Sequence, residues 1–353
     1  MLETGLLGLY KRLLVFISIF IFVPVLPAQN YPDREVDSLL KSGIGNIISD
    51  NYTKAAATFG VLQNNYPNLP LGKIYLAAVK IAKSYDLAEN FDDRFINKNL
   101  EAAVEQSEEL IDKDKNNIWY RYFYALSTGY KAYFEVLNKD WLPAFTNGLN
   151  SVSDLERCLK MDPGFYEAYT ALGTFKYWKS RKTELISWLP FIKDERDEGI
   201  KQLRIAADSS SYNKYLAMNS LIWVYIDKGE YNNAVTVALS ALKKFPGSRL
   251  FMWGLARAYE NTDEEKSVTV YSQILDSYRA ENCLNDYNEI LIKHIIAQQY
   301  SKIGNTQKAL VLCDGILAIK NIPDFILKKL GNRIERVREL REQLRGELSN
   351  QHR

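Results

Sequence analysis

The sequence predicts an all-α solenoid made of repeated helix pairs, and two observations support this fold class. The first is a 34-residue phrase, 215–248, in which apolar residues recur at helical spacing on both sides of a glycine. The second is the recurrence of this phrase along the chain, which is typical of solenoids whose units bury their apolar faces against one another. The chain has 353 residues, 47% of them hydrophobic and 25% charged, a composition that excludes wholesale disorder.

The phrase at 215–248 divides into two helices joined by a short turn. Tyr225 closes an apolar face on the first helix, and Gly229 can adopt the left-handed conformation that ends it. Small residues recur every three or four positions in the second helix and let another helix approach closely. Pro246 cannot continue that helix, so the unit ends there. The small residues are Ala234, Ala238 and Ala241.

Copies of this unit precede and follow it, and those in the first half of the chain are longer. The ends of the earlier units fall 48 residues apart, so each carries about 14 residues more than the 34-residue form. The additional residues lie between the two helices, which predicts about seven residues, or two turns, more in each helix. These ends are Pro67, Lys115, Pro163 and Ser211.

The longer units contain a repeated aromatic corner. Trp141-Leu142-Pro143 recurs 47 residues later as Trp188-Leu189-Pro190. Insertions of this kind fall on one face of a solenoid, so we expect the corners to lie along one edge. Two interpretations are open. Either each aromatic residue packs beneath its own loop and proline ends a helix, or the corners form an exposed ridge that docks a partner or a membrane surface.

The last part of the chain, 322–353, predicts one long final helix with apolar residues at helical spacing. A solenoid needs a terminal helix with a polar outer face to cover its last apolar layer, so capping is the expected role. A coiled coil with another chain is the alternative.

The N-terminal residues resemble an export signal. Lys11 and Arg12 precede an apolar run at 13–23, and the small residue Ala28 follows. This order predicts a secretory signal peptide over 1–28, with an uncleaved anchor or a buried helix as alternatives. We therefore expect an exported protein of the bacterial periplasm or cell envelope. It would associate with the membrane through 13–28 if that segment stays attached.

The residues that usually perform chemistry are scarce. The only histidines are His294 and His352, and no phosphate-binding or dinucleotide-binding motif is present. The sequence therefore predicts no enzyme activity, no cofactor and no metal site. A net charge of +2 argues against a nucleic-acid partner. The three cysteines are expected to be buried, reduced thiols; they are Cys158, Cys283 and Cys313.

The repeated unit resembles the tetratricopeptide repeat (TPR), a helix–turn–helix unit of 34 residues. The resemblance covers most of 36–321. It implies a right-handed α-solenoid of about six to seven helix pairs, with a concave groove lined mainly by the first helix of each pair. In many members of the family that groove binds peptide segments or partner helices.

The resemblance implies that eleven residues line the groove and bind a protein or peptide partner. They are Glu167, Thr170, Thr174, Tyr177, Asn219, Trp223, Asp227, Trp253, Arg257, His294 and Gln298. Trp223 and Trp253 would supply the largest contact area, unless both are core residues that bridge adjacent helix pairs. The alternative function is a small-molecule or glycan receptor that uses the groove aromatics as stacking surfaces.

Overall fold

The computed structural model describes residues 29–184 and 193–351, and this part of the chain contains helices and no strand. The predicted signal peptide at 1–28 and the second aromatic corner, with Trp188 and Pro190, lie outside the described residues.

Sixteen α-helices follow one another in the described ranges, and one 3₁₀ turn at Tyr166–Ala168 precedes the seventh. Their bounds are α1 Arg34–Ile48, α2 Tyr52–Asn65, α3 Leu71–Asp86, α4 Asp93–Lys113, α5 Ile118–Leu137, α6 Trp141–Met161, α7 Tyr169–Lys182, α8 Arg196–Ser209, α9 Lys214–Asp227, α10 Tyr231–Lys244, α11 Arg249–Tyr259, α12 Glu264–Ala280, α13 Asp286–Lys302, α14 Thr306–Leu317, α15 Asp324–Leu330 and α16 Arg333–Gln351.

Each helix packs mainly against the helix before it and the helix after it, which gives seven helix pairs from α1–α2 to α13–α14. The first helices of adjacent pairs also pack together, as α3 does with α5, α7 with α9, and α9 with α11. The first helices therefore form an inner layer and the second helices an outer one. The predicted all-α solenoid is confirmed.

The 34-residue phrase forms α9 and α10, as predicted. Gly229 has a φ of 73°, and Ala234, Ala238 and Ala241 are fully buried at the contact with neighbouring helices. The pair α5–α6 has the predicted longer helices, of 20 and 21 residues, whereas α9 and α10 have 14 each. The pair before it is longer mainly in α4, which has 21 residues against 16 in α3. In the pair after it the predicted lengthening is wrong, because α7 and α8 have 14 residues each and the additional residues of that unit fall between Lys182 and Arg196.

Two predicted helix boundaries are wrong. Trp141-Leu142-Pro143 does not end a helix but forms the first turn of α6. Backbone amides in the first turn have no hydrogen-bond partner within the helix, so proline, which has no amide hydrogen, is tolerated there. The C-terminal segment is not one long helix, because Gly331, with a φ of 53°, separates α15 from α16. Val337 and Leu344 of α16 are fully buried against α14, so the segment covers the last apolar layer within the chain.

Candidate functional site

The N-terminal helices cross the turns that precede α9, α11 and α13. The backbone amide of Tyr31 donates to the Tyr212 hydroxyl at 2.7 Å, and that hydroxyl donates to the Asp37 carboxylate at 2.6 Å. The Ser248 hydroxyl donates to the Ile48 carbonyl at 2.6 Å. These bonds join residues about 175 to 200 positions apart, so they fix the first unit against the second half of the chain.

Arg249, the first residue of α11, is the centre of this contact. Its guanidinium donates to both oxygens of Asp86, at 2.9 to 3.2 Å, and its backbone amide donates to Asp50 at 2.8 Å. The Tyr278 hydroxyl donates to Asp86 at 2.7 Å, and its ring lies 4.6 Å from the guanidinium carbon. The Arg249 side chain is 2% exposed, and burial raises the pKa of Asp50 to about 7. We call this group the Arg249 cluster.

The turn after α3 is held by side chains from later helices. The Asn288 amide donates to the Asp86 carbonyl at 3.0 Å, and the Asn285 amide donates to the Leu87 carbonyl at 2.6 Å. The Lys329 ammonium donates to the Ala88 carbonyl at 2.6 Å. Five elements, α3, α11, α12, α13 and α15, are thereby connected at one end of the inner layer.

A buried carboxylate organises the turn before α9. Glu167 is 2% exposed and accepts from the Ser210 hydroxyl and from three consecutive backbone amides, those of residues 211–213, at 2.5 to 3.0 Å. Burial raises the pKa of Glu167, and the four hydrogen bonds oppose that rise. This turn carries the Tyr212 that contacts the N-terminal unit, so Glu167 has an internal structural role.

Several predicted groove residues are therefore buried within the chain. Thr170 and Tyr177 are buried like Glu167, and the Tyr177 hydroxyl donates to Asp227 at 2.7 Å. His294 is buried beneath Arg333 of α16, whose guanidinium contacts the imidazole Nδ1 at 3.2 Å. Glu167, Thr170 and Tyr177 are enclosed by neighbouring helices and by the turn before α9, so they are not exposed on a groove surface. His294 is covered by α16 through Arg333.

Burial also fixes the charge of His294. Loss of solvent, with the nearby Arg333 and Arg336, lowers the pKa of His294 to about 4. The imidazole is therefore neutral at pH 7 and accepts the Arg333 hydrogen bond through Nδ1.

Other predicted groove residues on the first helices are partly or fully accessible. Trp223 is 37% exposed, and Arg257 and Gln298 are exposed, with Arg257 paired to Glu260. Trp253 is half-buried against Tyr271. Thr174 and Asn219 are half-buried, and Asp227 is paired with Arg181. Their contact with a partner stays a prediction.

The first aromatic corner is exposed at the edge of the outer layer. Trp141, Leu142 and Phe145, in the first turns of α6, are 58%, 82% and 65% exposed. Phe95 of α4 is exposed on the same edge, because the turn before α6 contacts the start of α4 through an Asn138–Asp93 hydrogen bond. We call these four residues the aromatic edge. Of the two interpretations, the exposed one describes this corner.

A second accessible surface is a depression of about 470 Å³ between α12, α13 and α14, which we call the outer groove. Its floor contains Leu275, Ile296, Val311 and Leu312, of which Val311 is 62% exposed. Its rim carries both signs of charge, from Asp276, Arg279, Lys293 and Lys308. An apolar floor with a polar rim is the anatomy of a protein interface. The sequence pattern did not identify this surface, because its residues come from three helices of two units.

Metal-ligand types and thiols are dispersed in the described residues. Within 29–184 and 193–351, no three His, Cys, Asp or Glu side chains are grouped to hold a metal ion. Burial raises the pKa of Cys158 to about 12 and of Cys313 to about 11, as expected for inert thiols. Cys283 is half-buried rather than buried, because it lies in the turn after α12. None of the helices in these ranges is long and apolar enough to cross a bilayer.

Comparison with known proteins found no family profile and no curated sequence that matches the chain. Solved structures similar to it include a TPR repeat-containing protein from Cytophaga hutchinsonii, which has 16% identity and a TM-score of 0.41 and covers 84% of this chain and 98% of that one. A tetratricopeptide repeat protein from Parabacteroides merdae has 11% identity and a TM-score of 0.36, with coverage of 88% and 99%.

A monomeric mutant of IFIT1 with Gppp-AAAA is also similar, at 16% identity and a TM-score of 0.46, over 82% of this chain. The chain spans 61% of that IFIT1 chain. The expectation that this protein binds no nucleic acid stays a prediction. The chain is an all-α helical-repeat protein similar to proteins of the tetratricopeptide-repeat class.

Proposed function

We propose that the protein is an exported, non-enzymatic scaffold that binds a helical segment of a protein partner in the outer groove. The observation that carries this proposal is the apolar lining between α12, α13 and α14, in which Val311 is 62% exposed. Export is supported by the basic and apolar order of residues 11–28.

The shape and charge of the outer groove favour an amphipathic helix as the bound segment. A helix laid between two parallel outer-layer helices can bury three or four apolar anchors while its polar face stays in water. The rim pairs Asp276 with Arg279 at 2.9 Å, and Lys293 pairs with Glu289. Lys308 lies over the Tyr300 ring at 5.2 Å and has no carboxylate partner among the described residues. The acidic and basic side chains of the rim can therefore form ion pairs with a partner segment that carries charges of both signs.

A charge placed on the floor of the groove tests this proposal. We expect Val311→Glu to reduce the partner recovered by affinity capture from native extract at least tenfold, because a carboxylate would be desolvated at the centre of the interface. Val61→Glu is the matched control, since Val61 is 45% exposed on α2, outside the groove. Equal recovery with both variants would place the partner elsewhere.

A further inference from the structure

The aromatic edge differs in shape and charge from the outer groove, and its partner need not be a protein. Leu142 is the most exposed of the large hydrophobic residues in the described ranges, and Trp141 and Phe145 flank it on the same helix end. These side chains project from the first two turns of α6 instead of lining a depression. Apolar side chains at an exposed helix end can insert among the acyl chains of a bilayer, which requires no preformed pocket.

Three cationic residues lie beside these apolar side chains, one by contact and two by their position in the sequence. The Lys182 ammonium lies 5.8 Å from the centre of the Trp141 ring, and Lys139 lies two residues before that tryptophan. Arg94 is exposed next to Phe95 on α4. None of the three has a carboxylate partner among the described residues, whereas Lys179 and Arg181, on the same turn as Lys182, are paired. Three cations without a carboxylate partner in the described ranges therefore border the edge.

The acidic residues of the edge offset this charge in part: Asp92 is paired with Lys80 at 3.8 Å, which leaves two carboxylates beside the three cations. Asp140 and Asp93 stand at the N-termini of α6 and α4, where the helix dipole offsets a negative charge. The net character of the edge is apolar at its tip and cationic at its border. Amphipathic elements that lie in a bilayer interface combine tryptophan, phenylalanine and leucine with lysine or arginine in this way.

We propose that the aromatic edge docks on an anionic lipid surface, with the apolar tip of α6 inserted among the acyl chains and the cations on the headgroups. This goes beyond the proposed protein partner and does not depend on it, because the outer groove lies on other helices. Single-stranded nucleic acid is the competing occupant, since aromatic and cationic residues also bind it. The prominence of Leu142 favours lipid, because an aliphatic side chain cannot stack on bases but gains free energy in acyl chains.

Binding of the full chain to vesicles tests this proposal. We expect sedimentation with phosphatidylglycerol vesicles and at least tenfold weaker partition for a Leu142→Glu, Phe145→Glu double variant. Lys139→Gln with Lys182→Gln should weaken partition several-fold and reduce its dependence on salt, because two cations no longer contact the headgroups. Leu239→Glu is the matched control, because Leu239 is 43% exposed on α10 and lies outside the edge. All substituted side chains are exposed, and an unchanged melting temperature confirms folding.

A local readout separates the edge from the apolar run at 13–23. A polarity-sensitive fluorophore attached through Leu142→Cys should shift to the blue on phosphatidylglycerol vesicles and not on phosphatidylcholine vesicles, and the same label through Leu239→Cys should not shift. The proposal is overturned if the label at 142 does not shift on anionic vesicles, if the double variant partitions like the wild type, or if a single-stranded oligonucleotide binds the edge and displaces it from vesicles.

Discussion

Replacing Arg249 with alanine is expected to lower the free energy of unfolding by about 3–5 kcal/mol, because it leaves Asp86 buried without its charge partner. The Arg249 side chain is 2% exposed and that of Asp86 is 11% exposed, so water cannot replace the lost contact without local opening. Urea denaturation followed by tryptophan fluorescence measures this change. A double variant, Arg249→Met with Asp86→Leu, should be less destabilised than Arg249→Ala, since neither charge then remains buried.

An exposed ion pair provides the control for Arg249. Arg279 pairs with Asp276 at the same distance of 2.9 Å, but their side chains are 48% and 69% exposed. We expect Arg279→Ala to change the free energy of unfolding by no more than about 1 kcal/mol. If Arg249→Ala and Arg279→Ala lower the free energy of unfolding by similar amounts, the Arg249 cluster does not stabilise the contact between the N-terminal helices α1–α3 and the second half of the chain.

Replacing Glu167 with alanine is expected to cost about 3 kcal/mol of stability, because three backbone amides and the Ser210 hydroxyl lose their acceptor inside the molecule. Glu167→Gln keeps one acceptor oxygen and should lose about half as much. Thermal or urea denaturation measures both variants. Glu105→Ala, on the exposed face of α4, should change stability by about 0.5 kcal/mol or less. A Glu167→Ala protein as stable as Glu105→Ala would contradict this role.

The repeat architecture was predictable because its signals are local. Gly229, the small residues of α10 and the 48-residue spacing all act within one unit or between neighbours. The structure confirms the turn and the close helix contact, but it confirms the longer helices only in part, because α7 and α8 have 14 residues each. The wrong boundaries, at Pro143 and Gly331, come from residues that are compatible with either a helix end or a helix start.

The contacts that hold the N-terminal helices against α11 and α12 were not predictable from the sequence. Arg249 and Asp86 are 163 residues apart and belong to different units, and neither stands out by type or spacing. The resemblance to the tetratricopeptide repeat was drawn one unit at a time. It therefore predicted an open groove at Glu167 and His294 without regard to the segments that pack on them. Glu167 is buried by the turn at 210–213 of the next unit and His294 by α16, and neither neighbour can be recognised from a single unit. Exposure of Trp141 and Val311 likewise depends on which neighbours cover them.

We expect the protein partner to contact the outer layer, because Glu167, Tyr177 and His294 of the inner layer are buried within the chain. A photo-crosslinking residue placed at position 311 or at position 223 tests this claim in the native environment. We expect a covalent adduct with the partner from position 311, in the outer groove, and none from position 223, on the inner layer. An adduct from position 223 alone would contradict it and return the partner to the concave groove.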